Sequence, residues 1–252
     1  MSTHALLARL LERDGELELP SLDDDELAAL APLEPPEARL VPLATHDGLS
    51  ENERAARAQL GEASLLERGL LAEDGGRVVP TDELRAVLSV RAAPPTVTLV
   101  DILEDGALRP RVAYGVGPGD VVLVETVESG VHAFALRTPA AAAAALAAEI
   151  DCDGRAGPAE GEPLIYTATS HPASWAEVEA AAENAERSVR LYTAQRTGES
   201  EVRDLETSVV VAPSAVWMIG GVLDTETGDG EVHARQLSRA GLEELLRAFI
   251  RP

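Results

Sequence analysis

Apolar positions along this chain recur first at helical spacing and later at strand spacing, and the switch comes near Thr96. Before it, Leu6, Leu7, Leu10 and Leu11 predict a short amphipathic helix in residues 3–13. Ser21 reads as the N-cap of a second helix, with Asp23, Asp24 and Asp25 solvated in its first turn, where the helix dipole favours negative charge. Pro32, Pro35 and Pro36 end that helix. Ser50, with Glu53 at the capping-box position, opens a long helix carrying Leu60, Leu65, Leu66, Leu70 and Leu71, with a break expected near Gly61. Gly75-Gly76 makes a turn, Val78-Val79 is extended, and Thr81 caps a helix over 82–90.

After Thr96 the pattern predicts strands over 96–103, 111–116, 121–126 and 131–136, then a helix over 139–150. That helix is almost all alanine, so close packing on the sheet is expected. A Gly/Pro/Asp-rich stretch, 151–162, reads as a linker. Beyond it come a strand at 164–169, a helix from Ser174 to about Gln195 with Glu177 in its first turn, and strands at 202–211, 216–223 and 231–237. A helix over 240–250 closes the pattern. The expected organisation is an N-terminal helical segment (1–95), a first sheet-helix half (96–150), the linker (151–162) and a second half (163–252), in one body.

Two stretches repeat each other. Pro118, Val121 to Val124, Val131-His132-Ala133, Leu136 and a helix are matched by Pro213, Val216 to Ile219, Val232-His233-Ala234, Leu237 and a helix, the second turn being six residues longer. This repeat predicts a pseudo-symmetric α+β body, with His132 and His233 sharing a structural role near the pseudo-axis. The copies differ where Trp217 and Met218 replace Val122 and Leu123. Large, interface-prone side chains there make Trp217 and Met218 the candidate partner-binding residues, with core filling as the competing role.

Composition narrows the function classes. The 252 residues carry a net charge of −23, which opposes phosphate-rich partners and anionic membranes. All 21 basic residues are arginine, so lysine-dependent Schiff-base, P-loop and kinase chemistry is excluded. Cys152 is the only cysteine, so neither an internal disulfide nor a cysteine-based zinc site is expected. Met1 to Leu30 is charged and amphipathic, without an apolar stretch of spanning length, and a cytosolic location is expected. With aromatics at 3%, the core is expected to be aliphatic, with Trp175 and Trp217 as rare large fillers.

The candidate chemistry is sparse. Gly115 to Gly119 leads into a strand rather than a helix, so it reads as a hairpin turn and not a phosphate loop. Asp151-Cys152-Asp153-Gly154 begins like a calcium loop, but Arg155 and Ala156 stand at positions five and six. Asp224 to Gly230 reads as a solvated hairpin. His171 with Ser170 or Ser174 lacks a Gly-x-Ser-x-Gly elbow. No enzyme, cofactor or metal is therefore expected. Leu65 to Leu71 followed by Gly76-Arg77-Val78-Val79 also fits a winged-helix ending, which makes a transcriptional regulator or sensor the alternative reading.

The order of parts carries a resemblance. Glu53-Arg54 opens a long helix closing on Arg68-Gly69-Leu70-Leu71, followed by a Gly-Arg-Val turn and a helix with Pro80, Leu84 and Leu88. A strand-rich middle follows; Asp224-Thr225 and Gly228 lie in the penultimate hairpin, and an amphipathic helix comes last. Over roughly 20–252 this resembles the EspG family of ESX (type VII) secretion-associated proteins of actinobacteria. The resemblance implies a central, twisted, mostly antiparallel sheet from two pseudo-symmetric halves, flanked by helical bundles. It also implies a non-enzymatic cytosolic chaperone or adaptor, monomeric or dimeric, that binds secreted helical substrates of the PE–PPE type. Strong acidity and few aromatics set this chain apart from the family, so its substrate need not be a typical one.

Overall fold

The fold is α+β, built on a ten-stranded antiparallel sheet. It was obtained as a computed structural model, which describes residues 7, 8, 11, 16–31, 40–74, 77–116, 120–167, 173–196, 202–223 and 230–250. In chain order the strands are β1 (Glu16–Asp23), β2 (Leu71–Asp74), β3 (Arg77–Pro80), β4 (Thr96–Glu104), β5 (Ala107–Val116), β6 (Val121–Glu128) and β7 (Val131–Arg137). They continue as β8 (Leu164–Tyr166), β9 (Arg187–Arg196), β10 (Val202–Ala212), β11 (Ala215–Leu223) and β12 (Gly230–Leu237). The helices are α1 (Asp24–Ala29), α2 (Glu51–Glu67), α3 (Asp82–Ala92), α4 (Pro139–Ile150), α5 (Trp175–Glu183) and α6 (Arg239–Ile250).

The large sheet runs β1-β7-β6-β5-β4-β9-β10-β11-β12-β8, and β2 and β3 pair separately. Outward from the β4/β9 pair, each direction passes through a four-strand meander and ends on an edge strand. The repeat is therefore larger than the sequence pattern shows: four strands and a helix, twice. His132 and His233 lie on β7 and β12, four strands out from the pseudo-axis rather than beside it.

The chain folds as two units: Met1–Pro95 with Val112–Thr138, and Thr96–Arg111 with Pro139–Pro252. In the first unit, β1 occupies the stretch expected to lead into a helix. Glu16 and Glu18 are exposed while Leu17 and Leu19 are half-buried, the period of two of an edge strand. The register shifts between Leu19 and Leu22, where Pro20 and Ser21 sit. The cap of α1 is thus Asp23, not Ser21: Asp23 accepts the Glu26 N–H at 2.8 Å, and the Glu26 carboxylate accepts the Asp23 N–H at 3.1 Å. The Ser50–Glu53 box of α2 and the Thr81 cap of α3 are as expected. Gly61 does not break α2; it lets α1 approach, since a Cβ there would lie 2.1 Å from the Asp25 carbonyl oxygen.

In the second unit, α4 has α6 as its main neighbour rather than the sheet. Small alanines still permit a close approach, and Arg239 at the start of α6 donates to the Ala147 and Ala144 carbonyls at 2.9 and 3.3 Å. The Phe249 carbonyl near the end of α6 accepts the Thr98 and Thr193 hydroxyls at 2.7 and 3.0 Å, anchoring the helix to β4 and β9. The helix expected to reach Gln195 ends at Glu183, and Ser174 makes no side-chain cap bond. Residues 187–196 form β9 because Val189, Leu191 and Thr193 alternate into the core, a period-two pattern that a continuing helix would waste.

Candidate functional site

Glu125 sits in a strand otherwise made mostly of valine, leucine and threonine, and it is fully buried. Alternation along β6 puts Leu123, Glu125 and Val127 on one face, opposite Leu136, Phe134 and His132 of β7. On that face Glu125 gathers three polar neighbours. Arg91 of α3 donates to both carboxylate oxygens at 3.1 Å, and the Tyr114 hydroxyl of β5 donates to Oε2 at 2.6 Å. His132 places Nδ1 2.6 Å from Oε1 and its Nε2 2.9 Å from Oδ1 of Asp24, the first residue of α1. The Arg91 guanidinium also lies 5.5 Å from the Phe134 ring centroid.

The electrostatics follow from this crowding. Burial alone would push the Glu125 carboxyl up, but the His132 contact, the Arg91 charge and the Tyr114 hydroxyl together hold it below the usual carboxylate range. Burial, with the adjacent Glu125 charge, pushes the Tyr114 phenol above its ordinary value. These are the residue types of an acid–base centre. Asp24, Arg91, Tyr114, Glu125 and His132 are nevertheless each at most 1% exposed, and a general acid or base must reach its substrate. What the cluster does is join α1, α3, β5, β6 and β7.

Sequence reasoning missed this cluster. Of the carboxylates taken as a solvated first turn, Asp23 is exposed, but Asp24 is buried and Asp25 half-buried, and Glu26 beside them is buried too. Asp25 meets His46 Nε2 at 2.8 Å and Arg57 at 3.1 Å; Glu26 meets Ser64 at 2.7 Å and Arg68 at 2.6 Å. Arg57 and Arg68 are thereby committed to α1, which weakens α2 as a phosphate-reading helix even though the expected hairpin, β2–β3, does follow it. His132 and His233 do not share a role: His233 is exposed and pairs with Glu231 at 3.0 Å. The available signal was Glu125 itself, a charge inside an apolar strand.

Trp217 and Met218 are neighbours on β11 and therefore point to opposite faces of the sheet. Met218 is half-buried. Trp217 is 7% exposed and packs with Trp175, Val178 and Ala181 of α5 and with Val210, Ala212, Ala215 and Ala234. Tyr166 of β8 extends this group, its ring 5.2 Å from that of Trp175. Trp217 is also at the edge of an open cleft of about 450 Å³, between Glu177 and Ala181 of α5, Asn184 just past its end, and the Pro213-Ser214 turn. On the same face, Leu99 and Tyr192 stand opposite each other and are half-buried, and Leu103 is 45% exposed.

The calcium-like stretch is a turn whose carboxylates are occupied. Asp151 accepts the Arg155 and Ala156 N–H groups at 2.5 and 3.1 Å, and Asp153 meets Arg187 at 3.0 Å. Among the described residues no three His, Cys, Asp or Glu side chains are grouped so that they could hold a metal ion, and no helix is long and apolar enough to cross a membrane. Gly117 to Gly119, Ser170-His171 and Asp224 to Asp229 lie outside the described residues. No protein-family model matches the sequence, and no curated protein matches it.

Proposed function

We propose that this protein is a cytosolic chaperone or adaptor that holds an apolar helical segment of a secreted partner, in the manner of the EspG proteins its order of parts resembles. The observation that supports this reading is the cleft beside Trp217 with exposed Leu103 on the same sheet face of the second unit. Leu103, Ser188, Val210 and Trp217 form one row across β4, β9, β10 and β11, while Asp101, Arg190 and Glu206 flank Leu99 and Tyr192 on that face. An amphipathic helix laid along that row buries its apolar stripe against exposed Leu103 and the edge that Trp217 presents to the cleft. Of the two candidate anchors, Trp217 carries the proposal and Met218, on the other face, does not. The partner class is a PE–PPE-like helical substrate of an ESX type VII system.

The experiment is co-expression with paired PE–PPE-like substrates, followed by affinity measurement. A stable complex is expected, weakened at least tenfold by Trp217→Ala, the size of a modest hot spot. Leu103→Asp, at a position already 45% exposed, separates lost contact from lost folding. Failure of every such substrate to bind, or unchanged affinity in both variants, overturns the proposal.

A further inference from the structure

The cleft beside Trp217 is a slot with an apolar lining and an anionic rim. Ala181, Ala212, Ala215 and Trp217 in its lining are each at most 8% exposed, and three of the four are alanines that leave it open. Glu177, Ala180, Ala181 and Asn184 fall at i, i+3, i+4 and i+7, so they form one stripe facing the slot, polar at both ends and apolar between. Those ends are about 10 Å apart along the helix axis. Asn184 donates Nδ2 to the Ala180 carbonyl at 2.7 Å, which leaves its Oδ1 available as an acceptor. Ser214 and Gln236, the latter opposite Trp217 on β12, complete the polar rim. Glu177 is the one charged residue of the lining, and among the described residues no cation meets it.

An acidic protein carries many surface carboxylates, but this one stands over an apolar slot. A bare cation would ignore the alanines, and a leucine would ignore Glu177. A cation on an aliphatic stem satisfies both. Of the two such side chains, arginine suits the rim better: its planar fork meets a carboxylate and a second acceptor together, and it is more weakly hydrated than an ammonium. We infer that the slot takes an arginine side chain of the partner helix, its stem on Ala181, Ala215 and the Trp217 edge and its guanidinium at Glu177. The source of that arginine rests on the chaperone reading, which it sharpens: an arginine beside the apolar stripe marks the substrate helix.

N-acetyl-arginine amide, titrated into the isotope-labelled full chain at about 0.15 M salt, tests the slot without any partner. The Trp217 indole and Asn184 amide signals are expected to move saturably, and N-acetyl-citrulline amide, an uncharged isostere, to bind about fivefold more weakly. Shifts that never saturate, or that spread over the acidic surface and spare Trp217, overturn the inference. Equal binding of citrulline or norleucine amide also overturns it, because the slot would then select apolar groups alone. Glu177→Gln is expected to erase the preference for arginine. Ala180→Leu, at an exposed helix position, is expected to fill the slot and weaken arginine binding about tenfold. A preference kept in the first variant, or binding kept in the second, overturns it. A PE–PPE-like complex that forms while the arginine probe fails overturns the slot alone; a probe that binds while no such substrate does overturns the chaperone reading and supports the slot. Wild-type dimers that dissociate in Glu177→Gln, seen by sedimentation, assign the arginine to a second copy and overturn the partner helix as its source.

Discussion

Glu125 contributes to how this protein responds to acid. Its carboxyl is held below the usual carboxylate range in the folded chain, so it binds fewer protons folded than unfolded. The stability it contributes is present above the unfolded value, about pH 4.3, and is lost as pH falls through the folded value. Urea midpoints are therefore expected to drop below about pH 4.5. Glu125→Gln should flatten that acid limb while costing about 3–5 kcal/mol at neutral pH, because Arg91 loses its buried counter-charge. Tyr114 acts at the other end. Its raised phenol keeps stability intact below about pH 10 and loses it above, and Tyr114→Phe should remove that alkaline loss. Identical acid limbs in wild type and Glu125→Gln would show that other carboxylates dominate. The sequence singled out His132 and Asp24 but not their partnership, and Glu125, a charge inside an apolar strand, was a signal left unread. Asp24 looked like any acid at a helix start until β7 brought His132 beside it.

The elements show how one glycine can be misread and still be essential. Gly61 lies in an unbroken helix, where alanine would ordinarily gain about 1 kcal/mol of helix propensity. The α1 backbone occupies the space a methyl group would need, within 2.1–2.6 Å of three of its atoms. Gly61→Ala is expected to destabilise by about 1–3 kcal/mol net, read from urea unfolding, because separating the two helices outweighs the propensity gain. A stabilised variant would mean that α1 and α2 have slack between them. Most element boundaries were readable because Ser50, Thr81, Pro139 and the strand alternations are local signals. The α5–β9 boundary was not, since alanine and glutamate continue past Glu183 with no breaker and only core contact separates helix from strand.

Across the molecule, a charge of −23 is the dominant electrostatic fact. Like charges repel over roughly a Debye length, so low salt strains the compact state more than high salt does. Raising salt from about 0.05 to 0.5 M shortens that length from more than about 10 Å to less than about 5 Å. The melting temperature is expected to rise over that range, measured by scanning calorimetry. The buried Arg91–Glu125 pair should be little affected, because it is shielded from the added ions. A melting temperature that falls with salt would mean that attractive surface pairs, such as Arg190–Glu206, outweigh the net repulsion. The same charge opposes association with phosphate backbones.

The α+β class, the strand-strand-helix repeat and most of the strands were determined by the sequence alone. Hydrophobic period, caps and turns act over a few residues and are written in the chain order. Only the tertiary structure decided what the repeated positions do. His132 and His233 occupy matching places, yet one is enclosed by Glu125 and Asp24 and the other is exposed beside Glu231. That difference comes from α1 and α3 packing on β6 and β7, which brings together residues up to 108 positions apart. Trp217 and Met218 show the same limit: adjacent in sequence, they were parted by the pleat, and packing of α5 put one of them at a cleft. Local pattern sets which element a residue joins; long-range packing sets which neighbours its side chain meets, and through them its charge and its use.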